Sequence, residues 1–134
     1  MKYIPLIGRI LFSFIFLMTI TSHFSNPSIQ HATTSGVPLA SILVPLSGVI
    51  AFLGSLSIII GYKAKIGTWL IVLFLLPVTF IMHKFWGIDN QETMHLQMAM
   101  FMKNISILGG ALIIAYFGTG TLSIDNVSHN KSNK

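Results

Sequence analysis

Six side chains that can hydrogen-bond a ligand or stack on a ring lie within or beside strongly apolar stretches of this sequence. They are His23, His83, Trp86, His95, Lys103 and Asn104. Polar groups are costly inside a membrane, so the Lys103–Asn104 pair in an apolar stretch is the strongest functional signal. Eight helical positions separate His95 from Lys103, which places them about 80° apart around a helix and about 12 Å along it. The pattern predicts a cationic, hydrogen-bonding site for an anionic or quinone-type ligand; the alternative is a lysine that only extends to the membrane interface.

Three of these residues are histidines, and imidazole is a common ligand of zinc, copper and haem iron. The sequence contains no HxxxH or HxxH pair, so His23, His83 and His95 would have to converge from different helices. This spacing disfavours a metal or haem, and neither is predicted. The chain also has no cysteine, which excludes disulfides and thiol-based redox centres.

Two opposite charges flank the apolar part of the chain. Arg9 lies in the first turns of the first apolar stretch, and Asp125 lies just beyond the last one. The topology derived below places both on one side of the membrane. We therefore predict a structural ion pair between them that closes the bundle.

The composition requires elements that face lipid. Of 134 residues, 53% are hydrophobic and only 8% are charged, with a mean hydropathy of +0.79, whereas soluble domains carry about 25% charged residues. This composition disfavours a soluble enzyme. Four apolar stretches are long enough to cross a hydrocarbon core of about 30 Å as helices. They cover approximately residues 4–21, 39–62, 66–82 and 96–117.

The fold class follows from these stretches. Backbone groups in lipid must pair within their own segment, and the stretches lack the alternation of barrel strands. We therefore predict an all-α integral membrane protein with a four-transmembrane-helix bundle. Residues 1–125 form its single domain, with a short surface helix between Asn26 and Ser35, and the polar residues 126–134 are predicted to be a disordered tail. For the first stretch, a cleaved signal peptide is the alternative.

Basic residues predict the orientation, because Lys and Arg are enriched in cytoplasmic loops. Six of the eight fall on one side of the membrane: Lys2, Arg9, Lys63, Lys65, Lys131 and Lys134. We therefore expect both termini in the cytoplasm and the candidate ligand site near the outer leaflet. The net charge of +5 then indicates topology, so the bilayer is the expected partner and nucleic acid is not.

Several short motifs occur in an order that is typical of one family. They are Gly8-Arg9, Gly36-Val37-Pro38, Leu53-Gly54, Gly61-Tyr62-Lys63, Pro77-Val78-Thr79-Phe80 with His83-Lys84-Phe85-Trp86, Phe101-Met102-Lys103-Asn104 with Gly109-Gly110, and Ser123-Ile124-Asp125. From about residue 6 to residue 125 this set resembles the DoxX family of small bacterial membrane proteins. The resemblance implies a multi-pass, four-helix protein of the bacterial cytoplasmic (inner) membrane. It also implies quinone-linked redox chemistry in some members, and receptor-assembly or cargo-receptor roles in more distant relatives.

Two positions depart from that family's pattern. Ala51 stands where many members carry a glutamate, and His23-Phe24 occurs where many carry a Gly-x-x-Lys pattern. A proton relay built on that glutamate is therefore not available to this chain. The sequence resembles a His-Phe branch of the family, in which His23, His83 and Lys103 would face the ligand.

Two functions follow as hypotheses. In the favoured one, the protein is a redox-associated membrane subunit in which a histidine or Lys103 hydrogen-bonds a quinone, while Trp86 and Phe85 stack on its ring. No flavin, haem or iron–sulfur motif is present, so the electron donor would be a redox partner protein. In the alternative, it is a non-catalytic accessory or scaffold membrane protein that docks onto a larger complex or forms a homo-oligomer. A small-solute transporter is a third hypothesis, and the sequence leaves open whether the chain is an enzyme.

Overall fold

The computed structural model describes residues 1–132, and the surroundings of side chains for residues 1–128. This part of the chain contains six α-helices: α1 (Ile4–Thr19), α2 (Asn26–Thr34), α3 (Ala40–Ile60), α4 (Ala64–Pro77), α5 (Gln91–Phe117) and α6 (Ile124–Ser132). A 3₁₀ turn, Ile20–Phe24, extends α1, and a π-helical turn, Val78–Met82, extends α4. No strand occurs among the described residues, and the predicted all-α class is confirmed.

Four helical segments are long and apolar enough to cross a membrane: Ile4–Phe24, Ala40–Ile60, Ala64–Met82 and Gln91–Phe117. The predicted bundle of four transmembrane helices is therefore confirmed, as is the short helix between Asn26 and Ser35, which is α2. We call the two ends of the bundle the α2 end and the α6 end. Which of them faces the cytoplasm stays a prediction.

Helices α3 and α4 form the centre of the bundle, with α1 packed on α3 and α5 packed on α4. Glycines allow the central pair to approach closely, because a Cβ on Gly54 would lie only 2.7 Å from the carbonyl oxygen of Gly67. The buried core surrounds this contact and includes Phe16, Ala51, Ile58, Ile71, Phe74 and Leu75. The outer helices α1 and α5 meet where the Phe12 ring lies 3.3 Å from a Cβ placed on Gly110.

Local sequence determines where the helices end. Gly61 ends α3 with a φ of +71°, a left-handed conformation that glycine adopts without strain, and its N–H donates to the Ser57 carbonyl at 2.9 Å. At the start of α5, the Asn90 side chain accepts a hydrogen bond from the Thr93 N–H at 2.9 Å. This cap begins α5 at Gln91, whereas our prediction began it at residue 96, where the apolar run starts.

The segment after α5 differs from the prediction. Residues 126–134 were predicted to be disordered, but α6 covers Ile124–Ser132. The Ser123 hydroxyl accepts a hydrogen bond from the Asn126 N–H at 3.2 Å, and the Asn126 side chain donates to the Thr121 carbonyl at 3.0 Å. These local hydrogen bonds support the start of α6, and the polar composition gave no indication of them. Residues 133–134 lie outside the described part of the chain.

Candidate functional site

The candidate site is a cavity of about 740 Å³ at the α2 end of the bundle. All four membrane-spanning segments and α2 contribute to its walls, and α1 and α5 line it on the α2 side of their contact at Phe12 and Gly110. The inner walls are apolar and include Ile15, Phe16, Ile50, Phe74, Val78 and Ile107. Ligand cavities have volumes of about 300–1,000 Å³, so this space is large enough to hold a small molecule or a lipid chain.

Asn104 is the buried polar residue of this cavity. Its side chain is only 4% exposed, it lies at the middle of α5, and it borders the cavity. Within the described residues, no hydrogen bond is formed by its side-chain amide, although other polar side chains of the cavity are bonded. A buried amide normally has a partner, so the two donors and the acceptor of Asn104 are available to a bound molecule.

Lys103 lies beside Asn104 and marks the mouth of the cavity. The residue is exposed and lines the cavity, and among the described residues its ammonium donates to the Met100 sulfur alone, at 3.6 Å. The chain has three acidic residues, Asp89, Glu92 and Asp125, and none of them lines the cavity. The mouth therefore carries a positive charge that no carboxylate of the cavity wall balances.

His23 lies in the cavity wall at the end of the first spanning segment. Its Nδ1 hydrogen-bonds the Thr19 carbonyl at 2.8 Å, and its ring lies 5.6 Å from the Phe74 ring. The 3₁₀ turn places this side chain directly against Gly48 of α3, where an added Cβ would lie 2.6 Å from the His23 Cβ. The glycine is therefore needed for the histidine to reach its position.

His83 enters the cavity wall from the end of the π-helical turn. Its Nδ1 hydrogen-bonds Oε1 of Gln97 on α5 at 2.9 Å, which connects the segment after α4 to the next helix. Gln97 was not among the predicted site residues. The available signal was an amide within an apolar run, one turn from Phe101 and near Lys103.

Trp86 and His95 lie outside the cavity. The Trp86 side chain is 53% exposed, and its ring contacts the rings of Phe85 and Phe101 at centroid distances of 5.5 and 6.0 Å. His95 is exposed on the first turns of α5. Of the six predicted ligand residues, the cavity thus brings together His23, His83, Lys103 and Asn104. In the described part of the chain, no cluster of three His, Asp or Glu side chains is placed to hold a metal ion.

Arg9 and Asp125 lie at the α6 end, but each bonds to backbone atoms. The buried guanidinium of Arg9 donates to the Leu122 carbonyl. The carboxylate of Asp125 accepts from the N–H groups of Lys63 and Ala64, at 2.8 and 3.1 Å, and so caps the start of α4. Both charges thus connect the segment after α5 to the bundle through hydrogen bonds to separate backbone partners. The Asp125 carboxylate is also close enough to act electrostatically on Arg9, and the structural ion pair between them stays a prediction.

Comparison with known proteins gives a match to the SURF4 family over residues 1–131. The Surfeit locus protein 4 homolog of Schizosaccharomyces pombe is 30% identical over 124 residues, which are 92% of this chain and 37% of that protein. The inner membrane protein YqjF of Escherichia coli is 30% identical over 132 residues, covering 94% of this chain and 92% of YqjF. The ER-derived vesicles protein ERV29 of Saccharomyces cerevisiae is 31% identical over 77 residues, 58% of this chain and 24% of that protein.

The chain therefore spans about a third of the length of the S. pombe relative and nearly all of YqjF. No solved structure matches it. YqjF and a second E. coli relative, YphA, are named inner membrane proteins, and with the four apolar helices they confirm the predicted multi-pass location in the inner membrane.

These matches overturn the resemblance on which the favoured hypothesis rested. The family match is to SURF4 and nothing points to DoxX, so the DoxX identification is wrong, and so is the prediction of a quinone-linked redox subunit. The structure explains the error, because glycines of these short motifs have roles in helix packing and helix termination, which do not depend on the reaction or ligand of the protein. Gly54 serves the contact between α3 and α4, and Gly61 ends α3, which are requirements of a small membrane bundle of any function.

Proposed function

The chain belongs to the SURF4 family, and we propose that it is a non-catalytic accessory protein of the bacterial inner membrane that docks onto a larger membrane complex. The names of its relatives support this proposal. Two of them name the bacterial inner membrane, one names ER-derived vesicles, and none of these names refers to a catalysed reaction.

The observation that carries the proposal is that the cavity has groups for binding and none arranged for reaction. Its walls contain no carboxylate, and the chain contains no cysteine. The hydroxyls of Thr19, Ser22 and Ser47 each donate to a backbone carbonyl of their own helical segment, at 3.1, 2.6 and 2.7 Å. The fourth hydroxyl of the cavity, that of Ser28, accepts from the Ser25 hydroxyl at 3.1 Å, and within the described residues none of the four bonds an imidazole. Nucleophilic catalysis needs a hydroxyl or thiol that is activated by a neighbouring base. What the cavity offers instead is the free amide of Asn104 and the charge of Lys103, which suit recognition.

The surface of the bundle supports docking. Only 11% to 39% of the residues in the four apolar windows are buried within the chain, and α5 is the least covered segment. A Cβ on Gly109 of α5 or on Gly8 of α1 would meet nothing within 4 Å. Small residues on an open helix face let another membrane helix approach closely, so both positions are suited to testing where a partner docks.

The test is reciprocal co-purification from native membranes in a mild detergent. We expect the full chain to migrate in an assembly larger than its own homo-oligomer. The assembly should contain one defined partner protein, and purification through a tag on that partner should recover the chain. Gly109→Leu tests a docking face on α5, and Gly8→Leu tests one on α1. We expect one of the two variants to lower partner recovery at least tenfold and the other to leave it unchanged. Circular dichroism confirms that both variants fold.

Two results would refute the proposal. The first is a wild-type chain that migrates only as a monomer or homo-oligomer from native membranes. The second is turnover of a substrate by the purified chain, with loss of that turnover in an Asn104→Leu variant.

A further inference from the structure

We propose that the cavity holds one glycerophospholipid, taken from the membrane leaflet at the α2 end. Its phosphate lies at Lys103, an ester carbonyl bonds the Asn104 amide, and one acyl chain fills the apolar interior. This inference goes beyond the proposed function and does not depend on it, because it concerns a ligand of the chain itself.

The first argument is the state of Asn104. The residue is 4% exposed, lies in the middle of a membrane-spanning helix, and makes no side-chain hydrogen bond within the described residues. The fully enclosed polar atoms without a partner belong to Arg9 and Ser13, so the amide of Asn104 borders the open space of the cavity. Lipid tails cannot hydrogen-bond an amide, and an unpaired amide inside a membrane is costly. A bound molecule that hydrogen-bonds Asn104 would remove that cost. The NH₂ group of Asn104 is a donor, and an ester carbonyl is an acceptor that a phospholipid places next to its acyl chain.

The second argument is charge. Lys103 lies at the mouth of the cavity, and its ammonium is near the Met100 sulfur, one turn closer to the α2 end. The ammonium therefore points towards the headgroup region while Asn104 remains deeper. The other titratable groups that face the cavity are His23, His31 and His83, and none is acidic. This order of a cation, then an amide donor, then an apolar interior matches the order of phosphate, ester and acyl chain in a phospholipid.

The third argument is shape. The cavity has a volume of about 740 Å³ and an apolar interior, which suits an extended acyl chain. The cavity lies between α1 and α5 and reaches the surface beside the exposed Lys103. A lipid can therefore enter from the bilayer without crossing water.

The test is native mass spectrometry of the purified full chain, delipidated and then titrated with dioleoylphosphatidylglycerol. We expect saturable binding of one lipid, and weaker binding of dioleoylglycerol, which has the esters and chains but no phosphate. Lys103→Gln should remove the preference for the phospholipid, and Asn104→Leu should weaken both lipids at least tenfold. Lys84→Gln and Ser106→Leu are matched controls at exposed positions outside the cavity and should leave binding unchanged.

Folding is tested separately through the thermal midpoint. Asn104 has no hydrogen-bond partner among the described residues, so in the delipidated protein Asn104→Ala should keep the midpoint of the wild type. A midpoint that falls in both Asn104→Ala and Asn104→Leu would indicate an internal hydrogen bond and overturn the assignment. Ile107→Trp fills the apolar interior from another position and should also displace the lipid. The proposal fails if both cavity variants bind lipid as the controls do, if binding is not saturable at one equivalent, or if the molecule retained from native membranes is a peptide.

Discussion

Exchanging the two charges at the α6 end should not restore the stability that either single exchange removes. The reason is the polarity of their partners. The Leu122 carbonyl beside Arg9 needs a donor, and the N–H groups of Lys63 and Ala64 beside Asp125 need an acceptor. A carboxylate cannot donate when ionised, and a guanidinium cannot accept. The double variant Arg9→Asp/Asp125→Arg therefore places the wrong group at both positions.

The expected losses differ between the two positions. Asp125 caps α4 with two hydrogen bonds from a half-buried position, and loss of such a cap costs about 1–2 kcal/mol. Arg9 is only 3% exposed, and leaving an uncompensated charge at a buried site costs about 3–5 kcal/mol. The double exchange should therefore lower the free energy of unfolding by about 4–7 kcal/mol, which is close to the sum of the single effects.

The assay is a double-mutant cycle on the free energy of unfolding in mixed micelles. The milder pair Arg9→Gln and Asp125→Asn is used so that all four proteins stay folded, which circular dichroism checks. We expect a coupling energy below about 1 kcal/mol between the two positions. A charge-exchanged double variant that recovers more than half of the summed loss would refute this reasoning. So would a coupling energy of about 3 kcal/mol or more, since that is the range of a buried ion pair.

Two further predictions concern the cavity walls. Gly48→Ala should destabilise the fold by about 1–3 kcal/mol, because the new Cβ would lie 2.6 Å from the Cβ of His23. Gly109→Ala meets nothing within 4 Å and should stabilise the fold by up to about 1 kcal/mol through helix propensity. Denaturation midpoints compare the two variants. His83→Ala and Gln97→Ala should show a coupling energy of about 1 kcal/mol in a double-mutant cycle, because their side chains bond at 2.9 Å, and additive effects would contradict that bond.

The sequence predicted the fold well because hydropathy alone determines which segments can cross a bilayer. It missed the features that depend on single polar side chains. Asn90 caps α5 well before the apolar run begins, and Ser123 supports a helix in a segment whose composition suggested disorder. Hydropathy averages over many residues, so it gives no information about such caps.

The sequence identified some of the residues that line the cavity and misplaced others, and hydropathy again explains the difference. Lys103 and Asn104 stand out because their polarity conflicts with their helix, and the cavity contains both. Trp86 and His95 lie outside the apolar runs, where no such conflict exists. The direction of Trp86 depends on loop geometry, and that of His95 on the register of α5, which begins five residues before the apolar run. The structure turns Trp86 onto Phe101 and away from the cavity.

The cavity itself follows from the way in which small residues position α1. Near the middle of the bundle, Gly110 lets Phe12 bring α1 against α5. One end of α1 is held differently, because Gly48 accepts His23 and so draws the 3₁₀ turn onto α3. On the α2 side of the contact between Phe12 and Gly110, residues of α1 and α5 such as Thr19 and Ile107 line the cavity. Asn104 borders the same cavity, so Gly110, which belongs to the motif set, and Gly48, which does not, both help to shape its walls.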